Sequence, residues 1–368
     1  MAVKVEDRKV RYAVVGAGWI SQAAFMPGVK HTGNSEITAL VTGDSDKAEA
    51  LGRRYGIERL YHYDAWQAAI ETGGFDAVYL ATPNWRHREF AVPALEAGLH
   101  VLLEKPMEVS EADCQAIQAA ADKSGAKLMI AYRLHFEPAT LEALRLVRGQ
   151  HLGHARLFTA TFTQQVSAHN HRAQNGFWAG PVADMGPYPI NAARMLFAAE
   201  PIEVMAWGQR VQGWDFDDTV SVMLRFPGER MAQFTVAYGL NAVNEYRIVG
   251  TDADLLVNPG FMFPGPLKHE LTVGDSKTKS EFPATDQFGG ETQYFSDCIL
   301  NGLDPEPDGE EGLMDVRVIL AIEQALLTGR PQSLAPYRRM RAPLPNQMRD
   351  LPAIKPPPLV HAAEPSQG

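Results

Sequence analysis

Short apolar runs alternating with amphipathic helical stretches fill residues 10–134, and this pattern limits the fold more than anything else in the chain. The runs are VRYAVVG (10–16), EITALVTG (36–43), DAVYLATP (76–83), HVLLEKP (100–106) and KLMIAYRL (127–134), with a weaker one near Leu60. Near-continuous apolar strands separated by helical patterns such as DKAEALGRRYG predict a parallel sheet covered on both faces, a doubly wound α/β domain over residues 1–134. Ser110-Glu111-Ala112-Asp113 opens one of these helices with capping-box spacing.

The pattern changes after PATLEALRLVRG. Segments such as DTVSVMLRFPG and RMAQFTVAYGL alternate apolar and polar side chains between Gly, Pro, Asn and Asp turns, which predicts a large, open, mostly antiparallel sheet. This second domain, 135–335, is expected to end with helices near 287–301 and 310–328, so the chain is α/β followed by α+β. Residues 336–368 form a proline-rich C-terminal segment, with seven prolines after residue 341, which reads either as a free tail or as an arm lying along another subunit.

Bulk properties exclude several partners. A net charge of -10 without a Lys/Arg block speaks against nucleic acid and anionic membrane surfaces. No apolar run reaches membrane-spanning length, and the N-terminal MAVKVEDRKVRYAVVG lacks the segments of an export signal, so a cytoplasmic location is expected. Cys114 and Cys298 read as buried, inert thiols. His169-Asn170-His171 reads as a solvated loop, and no metal site is predicted.

Chemistry is expected at three places. Gly16-Ala17-Gly18-Trp19-Ile20-Ser21 follows a strand and precedes a helix, the context of a dinucleotide-binding glycine turn, with Gly16 for the tight turn and Gly18 for close approach of the pyrophosphate. At the end of the second strand, Thr42 and Lys47 suit a 2′-phosphate, which favours NADP over NAD, while Asp44 is the residue that could instead hold a ribose hydroxyl. Asp184 and Tyr188 stand at i, i+4 around the start of a helix, and Lys105 ends a strand, giving three proton-handling groups. Asp184 could also serve as a cap for the helix beginning PYPINAARML.

Gly16-Ala17-Gly18, Ala81-Thr82-Pro83-Asn84 with His87, Glu104-Lys105-Pro106, and Asp184-Met185-Gly186 with Tyr188 together resemble the Gfo/Idh/MocA oxidoreductases over about residues 10–335. LVTGDSDKA (40–48), AYRLHFEP (131–138) and GEEGLMDVRVILAIEQALLTGRP (309–331) are most similar to the glucose-fructose and aldose-aldose oxidoreductase group. The resemblance implies a Rossmann domain followed by an open-sheet domain, with hydride transfer between NADP and C1 of an aldose. It further implies a tightly held cofactor recycled by a second sugar; independently, the open sheet is expected to offer a broad apolar face through which a homo-oligomer, a dimer, forms. It places Lys105 beside the nicotinamide, Asp184 as an orienting group and Tyr188 as the proton carrier. Tyrosine has a pKa of about 10, so a nearby lysine is needed to favour the phenolate. Thr82, Pro83, Asn84, His87, Glu104 and Arg133 fall on the cofactor side, His135 is a structural hydrogen-bonder, and Tyr132 and Trp178 are sugar contacts. The segment HNHRAQNGFWAGPVADMG departs from the group by lacking its arginine-bearing, glycine-rich approach, which leaves the sugar open. Two alternatives remain: a conventional sugar or polyol dehydrogenase that releases its cofactor, and a non-catalytic nucleotide-binding regulator.

Overall fold

The structure is a computed structural model and describes residues 8–339 and 341–367; the first seven residues of the stretch expected to lack an export signal lie outside them. The chain forms two compact units. The first contains residues through Phe136 together with Asp286–Leu313 and Gln347–Ala363, and the second contains Glu137–Thr285, Met314–Asn346 and the residues from Glu364 onward.

In the first unit, β1 (Val10–Val15), β2 (Ser35–Val41), β3 (Arg59–Tyr61), β4 (Ala77–Leu80), β5 (His100–Leu103) and β6 (Leu128–Ile130) form one parallel sheet in the order β3-β2-β1-β4-β5-β6. The apolar runs fold this way because both faces are covered: Val10, Tyr12, Val14, Leu40, Tyr79 and Leu102 are all at most 1% exposed. Connections are made by α1 (Met26–Val29), α2 (Ser45–Tyr55), α3 (Trp66–Thr72), α4 (His87–Glu96) and α5 (Glu111–Ser124). As expected, Ser110 caps α5, its hydroxyl accepting from the Asp113 N–H at 3.1 Å. The strand order reverses between β1 and β4, which is where ligands bind in such sheets.

The second unit opens with α6 (Pro138–Arg148) and β7 (Leu157–Gln164), then the short α7 (Pro181–Asp184) and α8 (Pro187–Phe197). There follow β8 (Glu203–Gln209), β9 (Thr219–Phe226), β10 (Arg230–Tyr238), β11 (Val243–Val249), β12 (Ala253–Val257), β13 (Leu267–Val273) and β14 (Ser276–Phe282). With β15 (Gln332–Ser333) they make a nine-stranded sheet, antiparallel except for the β7–β10 pair. Strand β9 alternates buried and open residues along its length, as the sequence predicts. The outward face is more mixed than a broad apolar surface: Trp207, Met223 and Met231 are exposed there, among Thr161, Ser221, Gln233, Thr235, Glu245 and Arg247. Edge strand β14 is exposed and carries Lys277 and Lys279, which discourages further strand pairing.

Two expectations need correction. Helix α9 (Gln287–Asn301) belongs to the first unit rather than closing the second: Phe295 is fully buried, and the Ser296 hydroxyl lies 2.8 Å from both Tyr12 Oη and Ser35 Oγ. Its periodicity announced a helix but not the sheet it would cover. The other closing helix, α10 (Gly309–Thr328), contributes Met314 onward to the second unit. Residues Gln347–Ala363 do not form a free tail but belong to the nucleotide-type unit of their own chain.

Both cysteines are buried and unpaired. Among the described residues, no helix is long and apolar enough to cross a membrane.

Helix α8 is anchored by ions rather than by a cap. Arg194 is 3% exposed, forks onto Glu200 at 2.6 and 2.9 Å, and also pairs with Asp315 of α10. Removing one partner strands the others in a dry interior, so Arg194→Ala should cost about 3–5 kcal/mol in urea unfolding. A loss under about 1 kcal/mol, the level of a solvent-exposed pair, would show that water reaches the cluster.

Candidate active site

Within the first unit, the glycine turn is built by close approach. Gly16 has φ +96°, and a Cβ there would stand 2.5 Å from Ala81 O, so only glycine fits between β1 and the end of β4. The buried Ser21 hydroxyl donates to Gly16 O at 2.5 Å, supplying the small residue that the turn needs at this position. By contrast, a Cβ on Gly18 would meet nothing within 4 Å, which leaves room for a pyrophosphate over the helix start. Trp19 and Ile20, half-buried, continue the turn.

The facing rim is the loop after β4. Thr82 Oγ1 is buried without a protein partner, and Asn84 Oδ1 accepts from the Trp85 N–H at 3.0 Å. His87 requires a correction: it is 1% exposed, with Nδ1 3.1 Å from Met107 O and Nε2 3.0 Å from Thr82 O, so it fastens the loop from beneath and presents nothing to a ligand. Burial outweighs the pull of the two carbonyls and lowers its pKa to about 4, so the ring is neutral and donates to only one of them.

At the end of β2, Thr42 is buried, while Asp44 caps α2: its Oδ1 accepts from the Lys47 N–H at 2.9 Å and its Oδ2 lies 2.9 Å from His361 Nδ1. The Lys47 N–H and the His361 ring hold Asp44 below the usual carboxylate range. Both of its oxygens are therefore engaged. A turn with an open second glycine, an orphaned threonine hydroxyl and an occupied acidic residue fits a dinucleotide.

Lys105 follows β5, and its bond to Pro106 is cis. Glu104 accepts from the Tyr79 hydroxyl at 2.7 Å, and desolvation raises its pKa against the opposing pull of Lys105. Arg133, 6% exposed, donates to Gln287 of α9. His135 stacks on Tyr132 with ring centroids 5.5 Å apart and lies 3.3 Å from Glu306 Oε2, so it is structural as expected.

The sequence offered no signal for Glu291. This α9 residue is fully buried, with both carboxyl oxygens unpaired in the protein, and burial followed by the charge of Glu104 pushes it well above the ordinary carboxyl range.

In the second unit, Asp184 ends α7 and Tyr188 lies in the first turn of α8, with the chain breaking between the two helices at Gly186. The break is obligatory, because any side chain on Gly186 would collide with Val182 O. Asp184 does not cap α8; its Oδ2 accepts from Arg172 Nε at 2.8 Å, the Tyr238 hydroxyl at 2.9 Å and Gln164 at 3.4 Å. Arg172, which carries no sequence signal of its own, lies in the segment that departs from the group's arginine-bearing, glycine-rich approach. Tyr238 is fully buried, and burial raises its pKa well above the usual phenol value, so it is a permanent donor. Tyr188 stands edge-on to Phe162, with centroids 5.4 Å apart, and Trp178 edge-on to Phe177 at 5.6 Å. His169-Asn170-His171 is more ordered than a solvated loop: Asn170 is buried and accepts from the Arg172 N–H at 3.2 Å. Among the described residues, no cluster of His, Cys, Asp and Glu could hold a metal.

Residues 10–132 match the family model described as an oxidoreductase family with an NAD-binding Rossmann fold, and residues 140–256 match the GFO/IDH/MocA C-terminal domain. The chain belongs to the Gfo/Idh/MocA oxidoreductases. It is similar to an aldose-aldose oxidoreductase from Caulobacter crescentus, solved with glycerol, at 34% identity and TM-score 0.83 over 89% of this chain and 100% of the other. It is also similar to D-xylose 1-dehydrogenase [NADP(+)] of Haloarcula marismortui, at 29% identity over 87% of this chain and 91% of the relative. A 3-ketoreductase of Actinomadura kijaniata solved with NADP and TDP-benzene has 25% identity and TM-score 0.80 over 87% and 98% of the two chains.

A carboxyl whose pKa folding raises keeps its proton in the native chain and loses it when unfolded above the ordinary 4.5, so its contribution is fully present below that value and is lost as pH rises. Glu291→Gln removes this titration. Urea midpoints measured from about pH 5 to about pH 8 should fall less in the variant than in the wild type, and parallel slopes would contradict the assignment.

Proposed function

We propose that this oxidoreductase is a cytoplasmic, NADP-dependent sugar enzyme that moves hydride between the cofactor and C1 of an aldose. One observation carries the reading: the likeness to an aldose-aldose oxidoreductase spans 89% of the chain, and the chain keeps Lys105, Asp184 and Tyr188 in their expected motifs. The NADP-dependent xylose 1-dehydrogenase relative supports the same carbon and cofactor. Solved variants of the Actinomadura ketoreductase replace one lysine and one tyrosine, the two residue types invoked here.

The bound nicotinamide supplies the hydride acceptor and donor. Tyr188 takes the proton from the C1 hydroxyl as the C–H bond breaks, leaving a lactone, and returns it when a carbonyl is reduced. Lys105 stabilises negative charge on the reacting oxygen. Asp184, fixed by Arg172, Tyr238 and Gln164, orients a sugar hydroxyl. Tyr132 and Trp178 supply stacking and polar contact.

The finer proposal is that NADP stays bound and is recycled by a second sugar. Protein purified without added cofactor should absorb near the reduced-nicotinamide band after one aldose is added and bleach after a second. Colourless protein that needs external NADP would favour the conventional dehydrogenase. Tyr188→Phe should retain cofactor and lose about 100-fold or more in turnover, and an undiminished rate would remove the phenol from the mechanism.

The reading includes self-association through the outward sheet face, where Trp207, Met223 and Met231 are exposed. Sedimentation velocity of Trp207→Arg should then show a shift toward monomer, and an unshifted boundary would place the contact elsewhere.

A further inference from the structure

The C-terminal arm, Gln347–Ala363, packs on the nucleotide-type unit of its own chain: its first residues hold Glu306 and Asp297, and its last part reaches the glycine turn and α2. Arg54, in the last turn of α2, donates to Pro358 O at 2.7 Å. Gln22, fully buried behind the glycine turn, holds Val360 from both sides: Val360 N–H donates to Gln22 Oε1 at 2.8 Å, and Gln22 Nε2 donates to Val360 O at 2.9 Å and to Ala17 O at 2.9 Å. The Val360 side chain packs against the apolar core of the sheet. The next residue, His361, is held at φ +43°, a left-handed conformation uncommon outside glycine, and its Nδ1 lies 2.9 Å from Asp44 Oδ2.

Asp44 is the acidic residue at the end of the second strand, the position from which a carboxylate grips a ribose 2′-hydroxyl. With Oδ1 spent on the Lys47 N–H and Oδ2 on His361, it is withdrawn from that role, and an imidazole takes its place beside Lys47 at the start of α2. We propose that the arm is a wall of the adenosine-ribose subsite and that His361 is a specificity residue, engaging Asp44 and offering its second ring nitrogen to the 2′-phosphate of NADP. The geometry favours this over a mere strap: a strap needs Arg54, Gln22 and Val360, but not a strained histidine on the one carboxylate that would repel a 2′-phosphate.

The proposal rests on the NADP reading and is separable from it by experiment. Binding of NADP and NAD is titrated by protein fluorescence for the wild type, for His361→Ala, and for a chain lacking residues 357–368, with thermal unfolding recorded in parallel. The wild type should prefer NADP, and His361→Ala should lower the NADP-to-NAD affinity ratio by about tenfold or more without moving the unfolding temperature, as for loss of one charge-assisted contact. The truncated chain should lower the ratio at least as far. Asp44→Ala in the His361→Ala background should restore part of the ratio, because the released carboxylate is what penalises the phosphate. A wild type that prefers NADP with an unchanged ratio in both arm variants overturns this inference and leaves the cofactor reading standing. A wild type that prefers NAD overturns both.

Discussion

The first unit depends on the contact between Gly16 and the end of β4. Two parallel strands lie side by side there while the chain leaves them in different directions, and the crevice between the departing segments is the only natural place for a dinucleotide. Backbone can approach backbone at that point only because residue 16 lacks a Cβ, and Ser21 then ties the turn back on itself. Once β1 and β4 are fixed, the Thr82 loop, the His87 brace beneath it and the Lys105 strand end follow from parallel register: Ala77–Leu80 pairs with His100–Leu103 residue for residue.

The second unit solves a related problem with charge. The half-buried carboxylate of Asp184 is met on one oxygen by three donors, from Arg172, Tyr238 and Gln164. Burial opposes the charge on Arg172, but Asp184 and Tyr238 together with smaller contributions turn the balance and raise the guanidinium pKa. Tyr238, from a central strand, adds a donor that does not ionise. The dry triad Arg194, Glu200 and Asp315 performs the same service for α8 as a whole, and so for Tyr188 at its start.

What the sequence disclosed follows from how local each signal is. The glycine turn, the parallel strands and the alternation along β9 are written in neighbouring residues and could be read directly. Lys105, Asp184 and Tyr188 stand out in the sequence because they sit in short motifs. Tyr238, Gln164 and Glu291 do not, since each reaches its site from a strand or helix whose own pattern says only that it is buried on one side. Arg172 was hidden differently: it stood in plain view, but nothing local says that it turns back onto Asp184 twelve residues later. His87 misled for the opposite reason, because a histidine beside a nucleotide loop suggests a ligand contact, whereas burial makes it a neutral peg. The placement of α9 failed because periodicity gives the width of an apolar face and not the partner that will cover it.

The carboxylates around the expected sites differ in how their charge is met, and the difference tracks what each is free to do. Asp184 and Asp44 are matched by Arg172 and His361, at 2.8 and 2.9 Å, and Asp44 is held below the ordinary acidic range. Glu104 is met only in part, by Lys105 and the Tyr79 hydroxyl, and burial still raises it. Glu291 has no protein partner at either oxygen and is driven furthest toward the neutral acid. Two carboxyl groups that repel one another in a dry interior do not readily both ionise, and of this pair Glu291 is the one pushed further toward the neutral acid.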